Sequence, residues 1–373
     1  MSLSNAELAR YSRHLLLNEF GEAGQQKLKA AKVLVVGTGG LGSPALLYLA
    51  AAGVGTIGIV DFDKVDMSNL QRQVLFSTED VGQPKAVIAA RRLNAMNPLI
   101  TTHAHDIELN AVNVMDVVSQ YEVVIDGCDR FVTRYLVNDA CVLLGKPLVS
   151  AAIHRFEGQA FVYVPDEGPC YRCLFPEQPS GDLVPNCATA GVLGVLPGLM
   201  GTIQATEAIK LITGIGSTLT GRLLTYDALD MRFIEFEFAR RHDCAVCGDT
   251  PSISAPQEQI IACATDEEGL SIAELQTLLH ESSENVQIID VREPHEYALG
   301  HLPHSINIPL ANLSEHLYAL DRNKRMIFIC RSGARSGQAL QLATQRGVLN
   351  SVNLTGGLQR WNSAVDAEHR CVL

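Results

Sequence analysis

The sequence predicts an α/β protein: a mostly parallel sheet with helices on both faces, followed by a second, smaller α/β domain. Three observations carry this expectation. Short apolar runs alternate with helical stretches from residue 32 onward, the pattern of strand–helix–strand units. The chain has 373 residues, more than one hydrophobic core usually serves. Residues 249–269 hold two prolines, five carboxylates and no Lys or Arg, and beyond them the alternation restarts. The expected organisation is a domain over 1–248, a linker over 249–269 and a domain over 270–373.

The first strand is Lys32-Val33-Leu34-Val35-Val36, which runs into Gly37-Thr38-Gly39-Gly40-Leu41-Gly42 and a helix over 43–52. A second strand over 56–60 ends at Asp61, a helix covers 85–94, and strands cover 122–126, 142–150 and 158–164. The uncharged run over 188–206 contains Pro197 and reads as a buried helix with a loop before it, not as a membrane span. In the second domain, a helix over 271–280 precedes strands over 286–290, 326–329 and 351–354, with a helix beginning at Ser336.

Composition narrows the function classes. A hydrophobic fraction of 47% with 19% charged residues describes a soluble globular protein. The net charge of -12 disfavours nucleic-acid binding, which needs clustered Lys and Arg. Residues 1–10 carry no apolar core, so no secretory leader is expected. Ten cysteines without one point to a reducing, cytoplasmic compartment, where thiols serve metals or catalysis.

A strand, a glycine-rich turn and a helix place backbone N–H groups and a helix N-terminus against phosphate, giving a Rossmann-like reading. Asp61, ending the second strand, is placed to bond a ribose hydroxyl. An NAD(P)-dependent oxidoreductase explains these features equally well. Arg72 within Asn69-Leu70-Gln71-Arg72-Gln73 and Lys85 within Gly82-Gln83-Pro84-Lys85 suit a triphosphate better. Asp126-Gly127-Cys128-Asp129 closes a strand at the sheet edge where ligands bind, and a carboxylate there can hold Mg²⁺ beside phosphates.

Taken with Asp61-Phe62-Asp63, this ordered set resembles the MoeB/ThiF family, adenylyltransferases that activate ubiquitin-like sulfur carriers. The resemblance covers about two-thirds of the chain. It implies that Gly37, Gly39, Gly40 and Gly42 cradle ATP and that Asp61 and Asp63 bind ribose or organise the site. It also implies that Asn69, Arg72 and Lys85 contact the phosphates and that Asp129 holds Mg²⁺. Arg10-Tyr11-Ser12-Arg13 resembles the family's N-terminal segment, which makes Arg13 a residue acting across a homodimer.

The cysteines divide by context. Cys170-Tyr171-Arg172-Cys173 and Cys244-Ala245-Val246-Cys247 form two C-x-x-C pairs, enough for a closed structural Zn²⁺ site, with a redox dithiol as the rival. Cys187, in Pro185-Asn186-Cys187-Ala188, matches the cysteine of related activating enzymes. It is either an inert packing residue or a second catalytic thiol. Cys128, Cys141, Cys263 and Cys371 show no chemical context. Cys330 ends a strand and opens Arg331-Ser332-Gly333-Ala334-Arg335-Ser336 before a helix. Backbone N–H groups, a helix N-terminus and two arginines would favour an anionic sulfur there.

That loop resembles the C-R-S-G-x-R-S loop of single-domain rhodaneses, as do residues 290–297 and 300–309 and Gly356-Gly357 before Trp361. The joined resemblances imply ATP-dependent adenylation of a small ubiquitin-like sulfur-carrier protein at its C-terminal carboxylate. Cys330 would then pass on persulfide sulfur taken from thiosulfate or a cysteine-desulfurase persulfide, giving a thiocarboxylate for molybdopterin, thiamin, tRNA thiolation or another sulfur metabolite. The alternative is conjugation of ubiquitin type through a Cys187 thioester.

Overall fold

A computed structural model of the protein describes residues 2–178, 191–257, 269–281, 283–365 and 371. They fall into two compact units, the first reaching residue 257 and the second beginning at 269.

The first unit is built on eight strands: β1 (Lys32–Val36), β2 (Thr56–Val60), β3 (Thr101–His105), β4 (Val123–Asp126), β5 (Leu148–His154), β6 (Glu157–Tyr163), β7 (Arg222–Asp227) and β8 (Arg232–Glu237). Their order is β3-β2-β1-β4-β5-β6-β7-β8. The first five are parallel; β6, β7 and β8 join antiparallel. Successive side chains of β1 enter opposite layers, Val33 and Val35 in one core and Leu34 and Val36 in the other, so the strand is apolar after the exposed Lys32.

Nine helices accompany these strands among the described residues: α1 (Asn5–Arg10), α2 (Ser12–Leu15), α3 (Gly21–Ala30), α4 (Gly42–Ala52), α5 (Lys85–Met96), α6 (Val114–Ser119), α7 (Phe131–Leu143), α8 (Tyr171–Leu174) and α9 (Leu196–Thr213). The α/β class and the parallel sheet are as the sequence predicts. Some details differ. β3, β7, β8, α1, α2, α3, α6, α7 and α8 lie where no element is expected; β3, for one, reads Thr-Thr-His-Ala-His and sits at a half-exposed edge with no apolar run. The strand expected over 142–150 begins only at Leu148; Val142 and Leu143 are the apolar end of α7, and Gly145-Lys146-Pro147 separates the two. The uncharged run becomes helical at Leu196, with Pro197 in the first turn, where its missing N–H costs nothing.

The expected linker begins inside the first unit: the N–H groups of Ser252 and Ile253 both donate to Ala245 O at 2.9 Å. Its residues 258–268 lie outside the described residues. The second unit is a parallel sheet in the order β10-β9-β11-β12, from β9 (Val286–Asp290), β10 (Ile306–Asn307), β11 (Arg325–Ile329) and β12 (Ser351–Asn353). Its longer helices are α10 (Ile272–Glu281), α11 (Ala334–Gln345) and α12 (Gly357–Ala364), and α11 begins at Ala334, ahead of the start expected at Ser336. No helix among the described residues is long and apolar enough to cross a membrane.

Candidate functional sites

The strand order reverses between β1 and β4, and the glycine turn and the Asp129 turn leave the sheet side by side there. Such a switch point opens a crevice at the strands' C-terminal ends. Gly42 has no room for a side chain, since a Cβ would stand 1.8 Å from Gly37 O. Gly37 itself has φ +87°, favoured by glycine alone. Thr38 donates to Asp61 Oδ2 through its N–H at 2.7 Å and its hydroxyl at 2.6 Å, and Asp63 N donates to Asp61 Oδ1 at 2.9 Å. Asp61 thus pins the glycine turn to the end of β2, and Oδ1 retains lone-pair capacity for a ribose hydroxyl.

Arg72 joins this cluster. Its Cδ lies 3.5 Å from where a Gly40 Cβ would stand, and its Nη1 donates to Ser68 O at 3.1 Å. Lys85 is buried, with Nζ 3.0 Å from Asp63 Oδ2. Asn69 ends a turn whose carbonyl accepts the N–H groups of Arg72 and Gln73. Asp129 is exposed in the turn after β4. Arg13 is exposed on α2, and Cys187 lies outside the described residues. Two observations fit a nucleotide to this crevice. Gly39 would meet only the Gln73 amide, at 3.7 Å, so the turn is open on that side. Gln73 is buried, and its Oε1 has no hydrogen-bond partner.

Beneath the Asp129 turn lies a polar cluster that sequence reading missed. Asp126 is buried and accepts from Ser150 Oγ at 2.8 Å and from Cys128 N at 3.1 Å. Arg134 of α7 places Nε 3.0 Å from Asp126 Oδ2, while Nη2 donates to Cys128 O at 2.8 Å and Ala151 O at 2.9 Å. Burial works against the Arg134 charge, yet Asp126 more than offsets it and raises its pKa. Burial and Asp126 push the Cys128 thiol well up, so it stays protonated. The one available signal was an arginine inside the otherwise apolar first turns of a helix.

The two C-x-x-C pairs converge. The four sulfurs of Cys170, Cys173, Cys244 and Cys247 all lie within 4.8 Å of one another, with Cys170–Cys173 at 4.0 Å, Cys170–Cys244 at 3.6 Å and Cys173–Cys247 at 3.3 Å. Zn–S bonds of about 2.3 Å in a tetrahedron put sulfurs about 3.8 Å apart. The cluster is compatible with zinc, and Arg241 N donates to Cys173 Sγ at 3.4 Å as the backbone does around a charged sulfur.

In the second unit, Cys330 is fully buried and its sulfur accepts three bonds: Gly333 N at 3.2 Å, Ser336 N at 3.4 Å and Ser336 Oγ at 3.2 Å. Two helix N-termini hold the loop. That of α11 supplies the Ser336 donors. That of α12 donates from Leu358 N to Cys330 O at 2.9 Å and from Gln359 N to Arg331 O at 2.8 Å. Gly357 permits this approach, because a Cβ there would meet Cys330 O at 2.5 Å. One expectation changes: Arg335 does not turn its charge freely on the sulfur. It forms a two-pronged pair with Glu296, at 2.6 and 2.8 Å. The donors that reach the sulfur are backbone N–H groups and the Ser336 hydroxyl.

The chain thus combines a nucleotide-type crevice and a four-cysteine knuckle in one unit with a buried, donor-ringed cysteine in the other. The ThiF family model matches residues 11–246, and the rhodanese-like domain model matches residues 271–364. Similar over nearly its whole length is the probable adenylyltransferase/sulfurtransferase MoeZ of Mycobacterium tuberculosis, 46% identical over 96% of this chain and 94% of that protein. The sulfur carrier protein adenylyltransferase of Thermus thermophilus is 51% identical over 68% of this chain and 95% of its own length. Adenylyltransferase and sulfurtransferase MOCS3 of Mus musculus is 42% identical over 98% of this chain and 87% of that one. Among solved structures, E. coli MccB with ATP superposes with a TM-score of 0.58 at 25% identity, over 66% of this chain and 75% of that one. This chain belongs to the ThiF family and carries a rhodanese-like domain.

Proposed function

We propose that the protein is an adenylyltransferase and sulfurtransferase that converts the C-terminal carboxylate of a small sulfur-carrier protein into a thiocarboxylate. The observation that carries this reading is the pairing of Arg72 with the glycine turn, across the switch point from Asp129, in a chain that also carries Cys330 with three donors on its sulfur.

In the first unit the carrier carboxylate attacks the α-phosphorus of ATP, forming an acyl-adenylate and releasing pyrophosphate. The glycine turn and Arg72 hold the phosphates, Lys85 and Asn69 complete the cradle, and Asp61 and Asp63 order the ribose end. Mg²⁺, held by Asp129 and the phosphates, would lower the charge that the carboxylate approaches. The four cysteines hold zinc as a structural ion, since no coordination position is left open.

In the second unit Cys330 takes a sulfur atom from thiosulfate, releasing sulfite, or from a persulfide donor, releasing a thiol. The terminal sulfur of the Cys330 persulfide attacks the acyl carbon and expels AMP, leaving the carrier joined to Cys330 through a disulfide. A second thiolate, assigned to Cys187, attacks the Cys330 sulfur and releases the thiocarboxylate. The protein disulfide so formed returns to two thiols at the expense of an external dithiol. Arg13 acts from the second subunit of a homodimer in the cytoplasm.

Two measurements test this. Carrier-dependent exchange of pyrophosphate into ATP should fall at least about 100-fold in Asp129→Ala and in Arg72→Ala, the loss expected when charge stabilisation is removed from a reacting centre. Cys330→Ala should keep that exchange and lose thiosulfate-dependent thiocarboxylate, read by mass spectrometry of the carrier. Wild-type exchange in both first-unit variants, or normal thiocarboxylate in Cys330→Ala, overturns the assignment.

A further inference from the structure

Arg172 lies between the two knuckle cysteines of α8, and its guanidinium does not face solvent. It donates from Nε and its second terminal nitrogen to the two oxygens of Asp139, both at 2.7 Å, with side chains 4% and 0% exposed. Asp139 belongs to α7. The neighbouring Asn138 accepts Tyr171 N at 2.8 Å, the Arg172 guanidinium lies over the Tyr135 ring at 4.7 Å, and the Tyr135 hydroxyl donates to Glu177 O at 2.7 Å. One face of α7 is therefore bonded to the cysteine knuckle. One turn before Asn138 the same helix carries Arg134, which holds the carbonyl of Cys128, the residue before Asp129, and the carboxylate of Asp126, and whose guanidinium lies over the Tyr171 ring at 5.7 Å.

Two buried ion pairs on one 13-residue helix are costly to desolvate and are repaid only in good geometry. Breaking either leaves a buried charge alone, so the stretch of the helix from Arg134 to Asp139 cannot shift without a large penalty. We infer that α7 is a rigid tie between the knuckle and the Asp129 turn, with Arg172, Asp139 and Arg134 as positioning residues for Asp129. Resting on the nucleotide and zinc assignments above, it deepens them: the knuckle sets the place of the carboxylate that meets the nucleotide–metal complex. Linkage through the helix is reciprocal: the factor by which bound zinc strengthens nucleotide binding at the turn is the factor by which nucleotide strengthens the hold on the metal.

The test uses the full-length protein as isolated, with its zinc content measured and with binding of Mg²⁺ and a non-hydrolysable ATP analogue measured by calorimetry. The rate of zinc transfer to a zinc-selective chromogenic chelator is then followed with and without saturating Mg²⁺–analogue. Wild type should release zinc about fivefold or more slowly when the nucleotide is bound, the low end of ordinary coupling strengths. Arg134→Lys keeps a positive charge beside Asp126 and loses the forked grip on the Cys128 and Ala151 carbonyls. It should retain zinc and bind the analogue, yet show nearly the same release rate in both conditions. Equal rates in wild type with nucleotide demonstrably bound overturn the tie, as does full protection in Arg134→Lys. A folded preparation that holds no zinc, or that binds no Mg²⁺–analogue, overturns the underlying site reading as well, and the two failures are told apart by the binding data alone.

Discussion

Ser336 is the side chain nearest in role to Cys330, adding a hydroxyl donor to the two backbone donors on the sulfur. A hydrogen bond to a charged group contributes about 1.5–3 kcal/mol. Ser336→Ala should therefore lower kcat/KM for thiosulfate sulfurtransfer roughly 10-fold or more while leaving pyrophosphate exchange unchanged, as steady-state assays of both activities on one preparation will show. Glu296 is tied to the same loop. Burial works against its charge, but the Arg335 bonds prevail and hold its pKa below the usual carboxylate value. The loop was legible from its glycine and arginine spacing. What it hid was that Arg335 is committed to a carboxylate 39 positions earlier, which no local pattern reports.

At the scale of elements, the mostly apolar strands β1 and β2 and the helices that follow them were plain in the sequence. The edge strand β3 was not, because half-exposed edges need no apolar run. Nor was the cluster under the Asp129 turn, since Arg134, Asp126 and Ser150 come from three separate elements. The meeting of the two C-x-x-C pairs was legible from their spacing. Cys244→Ala should lose about one zinc per chain by elemental analysis and lower the melting temperature, because binding free energy there is folding free energy. The N-terminal helix α1 offers a pH test. Its Glu7 is held at about 2, from an ordinary 4.5, by the Lys29 bond first and then by Ser4 N–H. A depressed folded pKa adds stability that is complete above the ordinary value and drains away as pH falls toward the folded one. Glu7→Gln should melt earlier than wild type at pH 6, with the gap closing as the pH of the melt approaches 2.

For the whole molecule, the two chemistries reside in separately folded units, so they should fail separately. The assignment of Arg13 to a partner's site has its own check. Arg13→Ala and Asp129→Ala, each inactive alone, should recover up to about a quarter of wild-type pyrophosphate exchange after subunit mixing, because random pairing gives half mixed dimers with one intact site each. Absence of recovery, with exchange of subunits proven by mass spectrometry, removes Arg13 from the reaction.

The complete burial of Cys330 has a protective side. A sulfur bound to it stands about 2 Å further out, the length of one S–S bond. An incoming reagent then meets the cargo first, with the carrier atom behind it under three donors. Electrophiles and peroxides in the cell would strike the loaded form first and spend themselves on an atom that the next reduction discards, returning the thiol intact for another round.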